Sequence, residues 1–288
     1  MISHQRGLFA LYSAVLILAV NGVLCKSIAL DAVSITSLRC AIAFTVISLF
    51  FTLGNNRHLF KLSSTKSILP VITIGLLMTV HWSSFFHAMQ ISTVAIGILA
   101  HYCFPVITVL LEAALNRRLP ALKDVLASLA VIVGVAIMVP SWDLNNQALM
   151  GAAFGLLSAL TWACRNVLQG RWLAHESGQS IMLYQLLVIV IVTAAFIDWP
   201  AATQMSERSW LMLILLGVVG TAFGHTLFSI ALRAINAKSI ALIACLQPPV
   251  AIFLSWLLIG EVPSSTTLIG GSIILAVAGF EAAKQRAK

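Results

Sequence analysis

The most constraining feature of this chain is a series of ten apolar segments, joined by loops too short to hold a soluble domain. Only 9% of its 288 residues are charged, against about a quarter in ordinary soluble domains. A helix needs about 20 apolar residues to cross the hydrocarbon core of a bilayer. The sequence therefore predicts an all-α integral membrane protein with ten transmembrane helices. The predicted spans are residues 7–26, 33–53, 67–87, 92–115, 121–140, 148–172, 178–198, 210–231, 236–259 and 265–283.

The two halves of the chain resemble each other at an offset of 144 residues. The recurring pairs are His81 and His225, Ile91 and Ile235, Ile96 and Ile240, Ala100 and Ala244, Pro105 and Pro249, and Val106 and Val250. Because each half has an odd number of spans, the second half enters the membrane from the opposite side, so the two halves are inverted. Inverted halves can form a pathway that opens alternately to each side. We therefore predict two inverted repeats, residues 1–144 with spans 1–5 and residues 145–288 with spans 6–10.

The basic residues are concentrated at alternate ends of the spans. If the N-terminus is cytoplasmic, most of the 17 Lys and Arg residues fall in inner segments, and the outer loops hold only Lys26 and Arg208. Basic residues retained on one side set the orientation of a helix bundle. The net charge of +8 is thus explained by topology, without a nucleic-acid partner, and both termini are predicted to be cytoplasmic.

Each half of the chain ends in a proline-bearing helix, a short turn and a glycine-rich last helix, and two segments carry the most specific part of this pattern. They are STVAIGILAHYCFPVITVLLEAALNRRLP (Ser92–Pro120) and SIALIACLQPPVAIFLSWLLIGEVPSSTTLIGGSIILAVAG (Ser239–Gly279). With its ten spans in two halves, the chain resembles the EamA-domain family of the drug/metabolite transporter (DMT) superfamily. The first half departs from the family pattern, because Asn116 and Arg117 stand where the second half has Gly260 and Glu261.

The resemblance implies a secondary transporter of the bacterial inner membrane, commonly an exporter of amino acids, related metabolites or drugs. It also implies a substrate cavity formed mainly by spans 1, 3, 4, 6, 8 and 9. The resemblance does not identify the substrate.

Polar and proline residues inside the spans indicate where a substrate could pass. Prolines in the fourth and ninth spans remove backbone donors and predict bent or broken helices, which in transporters flank the site. Arg165 shares a polar face with its neighbours, so a buried carboxylate-binding cluster is expected there, whereas snorkelling to the interface is the alternative. The predicted pathway residues are Trp82, His101, Tyr102, Pro105, Trp162, Arg165, Asn166, Gln247, Pro248 and Pro249.

Three further residues are candidates for proton coupling. His81 and His225 occupy equivalent positions, and an imidazole titrates near neutrality; the alternative is a histidine that only bonds two helices together. Glu112 could exchange a proton as a desolvated carboxylate, or pair at the interface with Arg117 or Arg118. For Arg39 in the second span we expect a structural partner, such as a backbone carbonyl.

The guanidinium and imidazole groups, with little buried acid, suit a substrate that carries a carboxylate. We therefore predict an exporter of a small amphipathic metabolite such as an amino acid; import of an anionic vitamin or metabolite is the alternative. An intramembrane metal-dependent enzyme is disfavoured, because the sequence has no HxxH, HxxxH or CxxC pair and no GxSxG motif. No cofactor or metal is predicted. The predicted partners are a small-molecule substrate and the lipid bilayer, with a monomer or homodimer as the assembly.

Overall fold

The computed structural model describes residues 4–284 except 55, 140, 144 and 236, and this described part is helical without strands. Its α-helices are α1 (His4–Lys26), α2 (Ala32–Leu53), α3 (Ile68–Ile91), α4 (Val94–His101), α5 (Phe104–Leu115), α6 (Leu122–Met138), α7 (Gln147–Trp172), α8 (Gly178–Thr193), α9 (Trp199–Thr203), α10 (Glu207–Leu215), α11 (Gly224–Ala234), α12 (Ala237–Ala244), α13 (Gln247–Ile259) and α14 (Ser265–Lys284). A π-helical segment, Leu216–Phe223, joins α10 to α11.

Within the described ranges, nine helical stretches are long and apolar enough to cross a membrane. They correspond to nine of the ten predicted spans. The predicted fifth span, residues 121–140, contains α6, which has only 17 residues. At about 1.5 Å per residue this helix is at the short limit for crossing the hydrocarbon core. The chain is therefore a multi-pass helical membrane protein, and the fifth of the ten predicted spans, residues 121–140, remains a prediction.

Two of the predicted spans are broken in the middle. Span 92–115 consists of α4 and α5 with a break at Tyr102 and Cys103, and span 236–259 consists of α12 and α13 with a break at Cys245 and Leu246. In each case the helix after the break has proline in its first turn, where the missing N–H costs no helical bond. The proline positions thus predicted both discontinuities.

The helix contacts recur between the two halves with the roles exchanged. The α3 helix packs against α7, and α11 packs against α1; α4 and α5 pack on α7, and α12 and α13 pack on α1. The helices at corresponding positions also meet each other, α2 with α8 and α6 with α14. Each of these helix contacts therefore has a counterpart in which the two halves of the chain change places.

A pair of glycines at the 144-residue offset makes the same kind of close contact in each half. A methyl group at Gly7 would overlap Ala234 and Ile235 at the end of α11, and one at Gly151 would overlap Ser92 after the end of α3. Small residues let membrane helices approach closely. These contacts hold the first turns of α1 and α7 against the helices that line the centre of the bundle.

Candidate substrate cavity

The two helix breaks meet at the centre of the molecule. Tyr102, in the first break, donates a hydrogen bond to the carbonyl of Ala244 at the second break (2.6 Å), and Gln247 Oε1 lies 3.2 Å from the same hydroxyl. A broken helix leaves carbonyls without intrahelical partners, and the hydroxyl from one half satisfies the carbonyl from the other. Both breaks therefore form one polar junction.

A cavity of about 90 Å³ lies beside this junction, between α1, α2, α3, α4, α7, α11 and α13. Two pairs of its lining residues are related by the 144-residue offset, His81 with His225 and Leu18 with Trp162. The cavity is large enough for a few water molecules but smaller than the roughly 300–1,000 Å³ of drug-sized binding sites. A substrate larger than a few atoms would need the bundle to open.

Arg39 is the only fixed charge on the lining of this cavity in the part of the chain that the structure describes. It is 1% exposed, its Nη1 donates to Thr221 Oγ1 (2.9 Å), and its Nε and Nη2 have no hydrogen-bond partner. Its guanidinium lies 4.0 Å from the ring centre of Trp82 and 4.5 Å from that of Phe86. Cation–π contacts stabilise such a charge, but they leave its two free donors available to an anion.

The partner of Arg39 depends on the π-helical segment. Thr221 Oγ1 donates to the carbonyl of Leu216 (2.9 Å), five residues earlier, while it accepts from Arg39. Gly217 lies against Ile42 and the backbone of α2, where a Cβ atom would overlap Ile42. Single π turns inside helices frequently occur at functional sites. Arg39 thus has a structural partner, as expected, and the partner is the hydroxyl of Thr221 and not a backbone carbonyl.

A histidine pair bridged by Ser158 forms another wall of the cavity. His81 Nδ1 lies 3.1 Å from the carbonyl and 2.8 Å from the hydroxyl of Ser158, and His101 Nδ1 lies 3.2 Å from that hydroxyl. A carbonyl only accepts, so bonding to it requires the proton on Nδ1 of His81. The Ser158 hydroxyl can then donate to His101. This tautomer assignment gives a continuous chain of three groups that can each pass a proton.

Trp162 connects this histidine pair to a second basic group. Its ring centre lies 4.8 Å from that of His81 and 5.3 Å from the guanidinium of Arg165. Arg165 donates to Asn166 and to the buried Gln185, each at 2.9 Å, and its Nε has no hydrogen-bond partner. Arg165 is therefore held among neutral amides one side chain away from the cavity.

Other predicted residues lie further from the cavity. Glu112 is exposed in the last turn of α5, which places it away from the lining and disfavours it as a proton carrier. Pro248 is buried and Pro249 is exposed in the first turn of α13, and Pro105 is half-buried in that of α5. These prolines shape the helix breaks, and none of them contributes to the cavity lining.

Several lining residues were not among the predicted pathway residues, namely Leu18, Asn21, Arg39, Phe85 and Phe86. Two of them could have been found from the repeat. Leu18 stands 144 positions before Trp162, and Asn21 stands 144 positions before Arg165. Applying the offset to the candidates of the second half would have located both in α1.

One end of the bundle is closed by an ion pair. Lys26, at the end of α1, pairs with Glu261 and also donates to the carbonyl of Ser92 (2.7 Å). Glu261 accepts from the N–H of Val94 at the start of α4 (2.9 Å). Gly260 ends α13 with φ of 70°, a left-handed conformation that favours glycine. This turn directs Glu261 back toward α1 and α4.

The other end is closed by different chemistry. Arg171, in the last turn of α7, donates to Asn116 (2.7 Å), which follows α5. Beside them, Ser63 and Ser67 donate to the carboxylate of Glu176 over 2.6–3.1 Å. Burial raises the pKa of Glu176, but the donors outweigh burial and hold the pKa below its ordinary value of 4.5. The opposite end is thus held by hydrogen bonds between charged and neutral side chains, Arg171 with Asn116 and Glu176 with Ser63 and Ser67.

The arrangement of titratable side chains does not indicate a metal centre. No group of three or more His, Cys, Asp or Glu side chains within the described ranges could hold a metal ion. The five cysteines are free thiols, three of them buried.

A family model described as the EamA-like transporter family matches residues 5–139 and 149–280. The chain is 25% identical to an uncharacterized transporter, YxxF, of Bacillus subtilis over 84% of this chain and 78% of that protein. It is also 25% identical to the pseudopaline exporter CntI of Pseudomonas aeruginosa, covering 74% of each chain. The S-adenosylmethionine uptake transporter of Rickettsia conorii is 24% identical, with 76% of this chain and 74% of that protein covered.

A solved crystal structure of a protein matches the fold with a TM-score of 0.64 at 17% sequence identity, and the match covers 96% of each chain. At this identity the likeness concerns the fold alone.

Proposed function

Because the chain belongs to the EamA-like transporter family, we propose that it is a secondary transporter that exports a small amphipathic carboxylate, such as an amino acid, by alternating access. The observation that carries this proposal is the buried guanidinium of Arg39, with two unpartnered donors at the cavity. A carboxylate accepts two parallel hydrogen bonds from such a fork. Among the described lining residues none is acidic, so a purely cationic substrate would have no counter-charge.

The proposed topology is ten helices in two inverted repeats, residues 1–144 and 145–288, with both termini in the cytoplasm. It is supported by the exchange of helix contacts between halves and by the two offset-related pairs at the cavity. In such an arrangement the site lies at the interface of the repeats, and rocking one unit against the other exposes it alternately. The proposed location is the bacterial inner membrane.

For a substrate with a net negative charge, export is the proposed direction for an electrical reason. A bacterial inner membrane is negative inside, and each charge that crosses it changes in energy by about 2.3 kcal/mol per 100 mV. An anion that moves without a coupled cation is driven outward. Proton coupling through His81, Ser158 and His101 or through His225 would add to this drive or oppose it.

Import of an anionic metabolite would use the same cavity and differ only in direction. Two of the three relatives illustrate both directions, one being an exporter and the other an uptake transporter. Transport measured in proteoliposomes with an imposed potential separates the alternatives. Outward movement of substrate that increases with an inside-negative potential supports export, and inward movement against that potential supports coupled import.

The proposed binding site can be tested with a thermal-shift screen of amino acids and small carboxylates on purified protein, because a ligand that binds the native state stabilises it. We expect Arg39→Gln to weaken binding of every active carboxylate by about 10- to 150-fold, since one hydrogen bond to a charged group contributes about 1.5–3 kcal/mol and the glutamine amide can replace the other. Arg208→Gln, at an exposed arginine, is the control. Binding that is unchanged in correctly inserted Arg39→Gln protein, or a screen that finds only cations, contradicts the proposal.

A further inference from the structure

A second cavity of about 260 Å³ lies between α2, α8 and the helix that contains the π segment. Nearly all of its lining is apolar, with Val46, Met182 and Leu227 contributed by three different helices. At its rim, Phe50 is 62% exposed and Phe223 is 55% exposed. Exposed aromatic rings on membrane-spanning helices favour contact with lipid, so we interpret this cavity as a lateral fissure that opens toward the bilayer.

The lateral fissure lies next to the central cavity. His225 lines both of them, and its ring centre lies 5.6 Å from that of Trp82, which lines the central cavity and stacks on Arg39. An apolar space and a cationic space are therefore separated by two aromatic side chains. A molecule with a charged end and an apolar end would match this order of environments.

We propose that the lateral fissure binds the apolar tail of the transported carboxylate while its head binds Arg39, so that the preferred substrates are carboxylates with a tail of several carbons. This inference rests on the proposed function. The central cavity, at about 90 Å³, has room for a carboxylate head but not for a phospholipid headgroup. The proposed occupant is therefore a substrate whose head reaches Arg39, and an acyl chain of a membrane lipid that fills the lateral fissure alone is the outcome that the test must separate from it.

The test is a homologous series of butanoate, hexanoate and octanoate, titrated calorimetrically into the protein in lipid nanodiscs, with empty nanodiscs as the blank for partitioning. Each methylene moved from water to an apolar site contributes about 0.8 kcal/mol. We therefore expect affinity to increase about fourfold per methylene until the lateral fissure is filled. Arg39→Gln is expected to weaken binding of all three acids.

The discriminating variant is Val46→Phe, which fills the lateral fissure, with Val46→Leu as a milder version if the first is poorly folded. Val133→Phe, on the exposed face of α6, is the matched control. We expect Val46→Phe to remove the dependence on chain length while butanoate binds as in the wild type, and Val133→Phe to retain it.

Four results overturn the inference, and they differ in what else they affect. If Arg39-dependent binding shows no dependence on chain length, or if Val46→Phe leaves that dependence intact, the proposed function stands and the tail site is wrong. If a photoreactive phospholipid labels the lateral fissure and octanoate does not displace it, the occupant is lipid. If no acid binds and Arg39→Gln changes nothing, the proposed function fails together with the tail site.

Discussion

Neutralising Glu261 should release the end of the bundle that it closes. The side chains of Lys26 and Glu261 are 20% and 17% exposed, between a surface pair worth about 0–1 kcal/mol and a buried pair whose disruption costs about 3–5 kcal/mol. Glu261→Gln keeps an acceptor for the N–H of Val94 but loses the charge that pairs with Lys26. We therefore expect this closed state to lose about 1–3 kcal/mol, which is about a 5- to 150-fold shift in population.

The assay is the labelling rate of Leu18→Cys, a cavity position, by a membrane-impermeant maleimide added from the Lys26 side, in protein whose five native cysteines are replaced by alanine. The labelling rate should increase in Glu261→Gln by the same factor as the population of the open state. The double variant Lys26→Met with Glu261→Gln should destabilise the closed state by less than the sum of the two single changes. Glu207→Gln, an exposed carboxylate in the first turn of α10, is the control. Equal labelling rates with Glu261→Gln and with the Lys26–Glu261 ion pair intact would refute a gating role for this ion pair.

Three smaller changes test other contacts. Tyr102→Phe should lower the midpoint of thermal unfolding by several degrees, because the buried carbonyl of Ala244 loses its donor at a cost of about 1–3 kcal/mol. Ser158→Ala should flatten the pH dependence of transport while leaving the protein folded, since it interrupts the histidine pair. Glu176→Gln should lower stability at neutral pH; because the pKa of Glu176 is lowered by folding, the difference from wild type should persist above its ordinary value of 4.5 and disappear as pH falls below it.

Matched controls exist for these changes. Tyr12→Phe alters an exposed tyrosine of α1, and Ser128→Ala removes a hydroxyl that bonds only within α6. A Tyr102→Phe midpoint equal to that of Tyr12→Phe would mean that the junction of the two breaks contributes no stability. An unchanged pH profile in Ser158→Ala would exclude the histidine pair from coupling. A Glu176→Gln difference that grows on acidification would contradict a carboxyl pKa that is lowered by folding.

Much of the fold follows from local chemistry and was predictable. Apolar length located the spans, and proline placed the two breaks at Tyr102 and Cys245, because a missing backbone donor acts on its own turn of helix. The repeat also identified His81 and His225, which do line one cavity. These features depend on residues that are close in sequence or related by one fixed offset.

The parts that were not predicted depend on long-range contacts. The role of Arg39 could not be derived, because its environment is set by Thr221, 182 residues away, and by the rings of α3. The exposure of Glu112 depends on where α5 ends relative to its neighbours. The π segment has no apolar periodicity of its own to distinguish it from the surrounding helix, so it was included in an ordinary span.

The π segment also changes how alike the two halves of the site can be. A helix turns by about 100° per residue, so one residue more in a single turn rotates everything after it, including His225, relative to a regular helix. No such insertion comes before His81, since α3 is continuous from Ile68 to Ile91. The two histidines thus line one cavity although the helices that carry them differ, since only His225 follows a π segment. Deleting one residue within Leu216–Phe223 would move His225 off the lining and leave His81 in place.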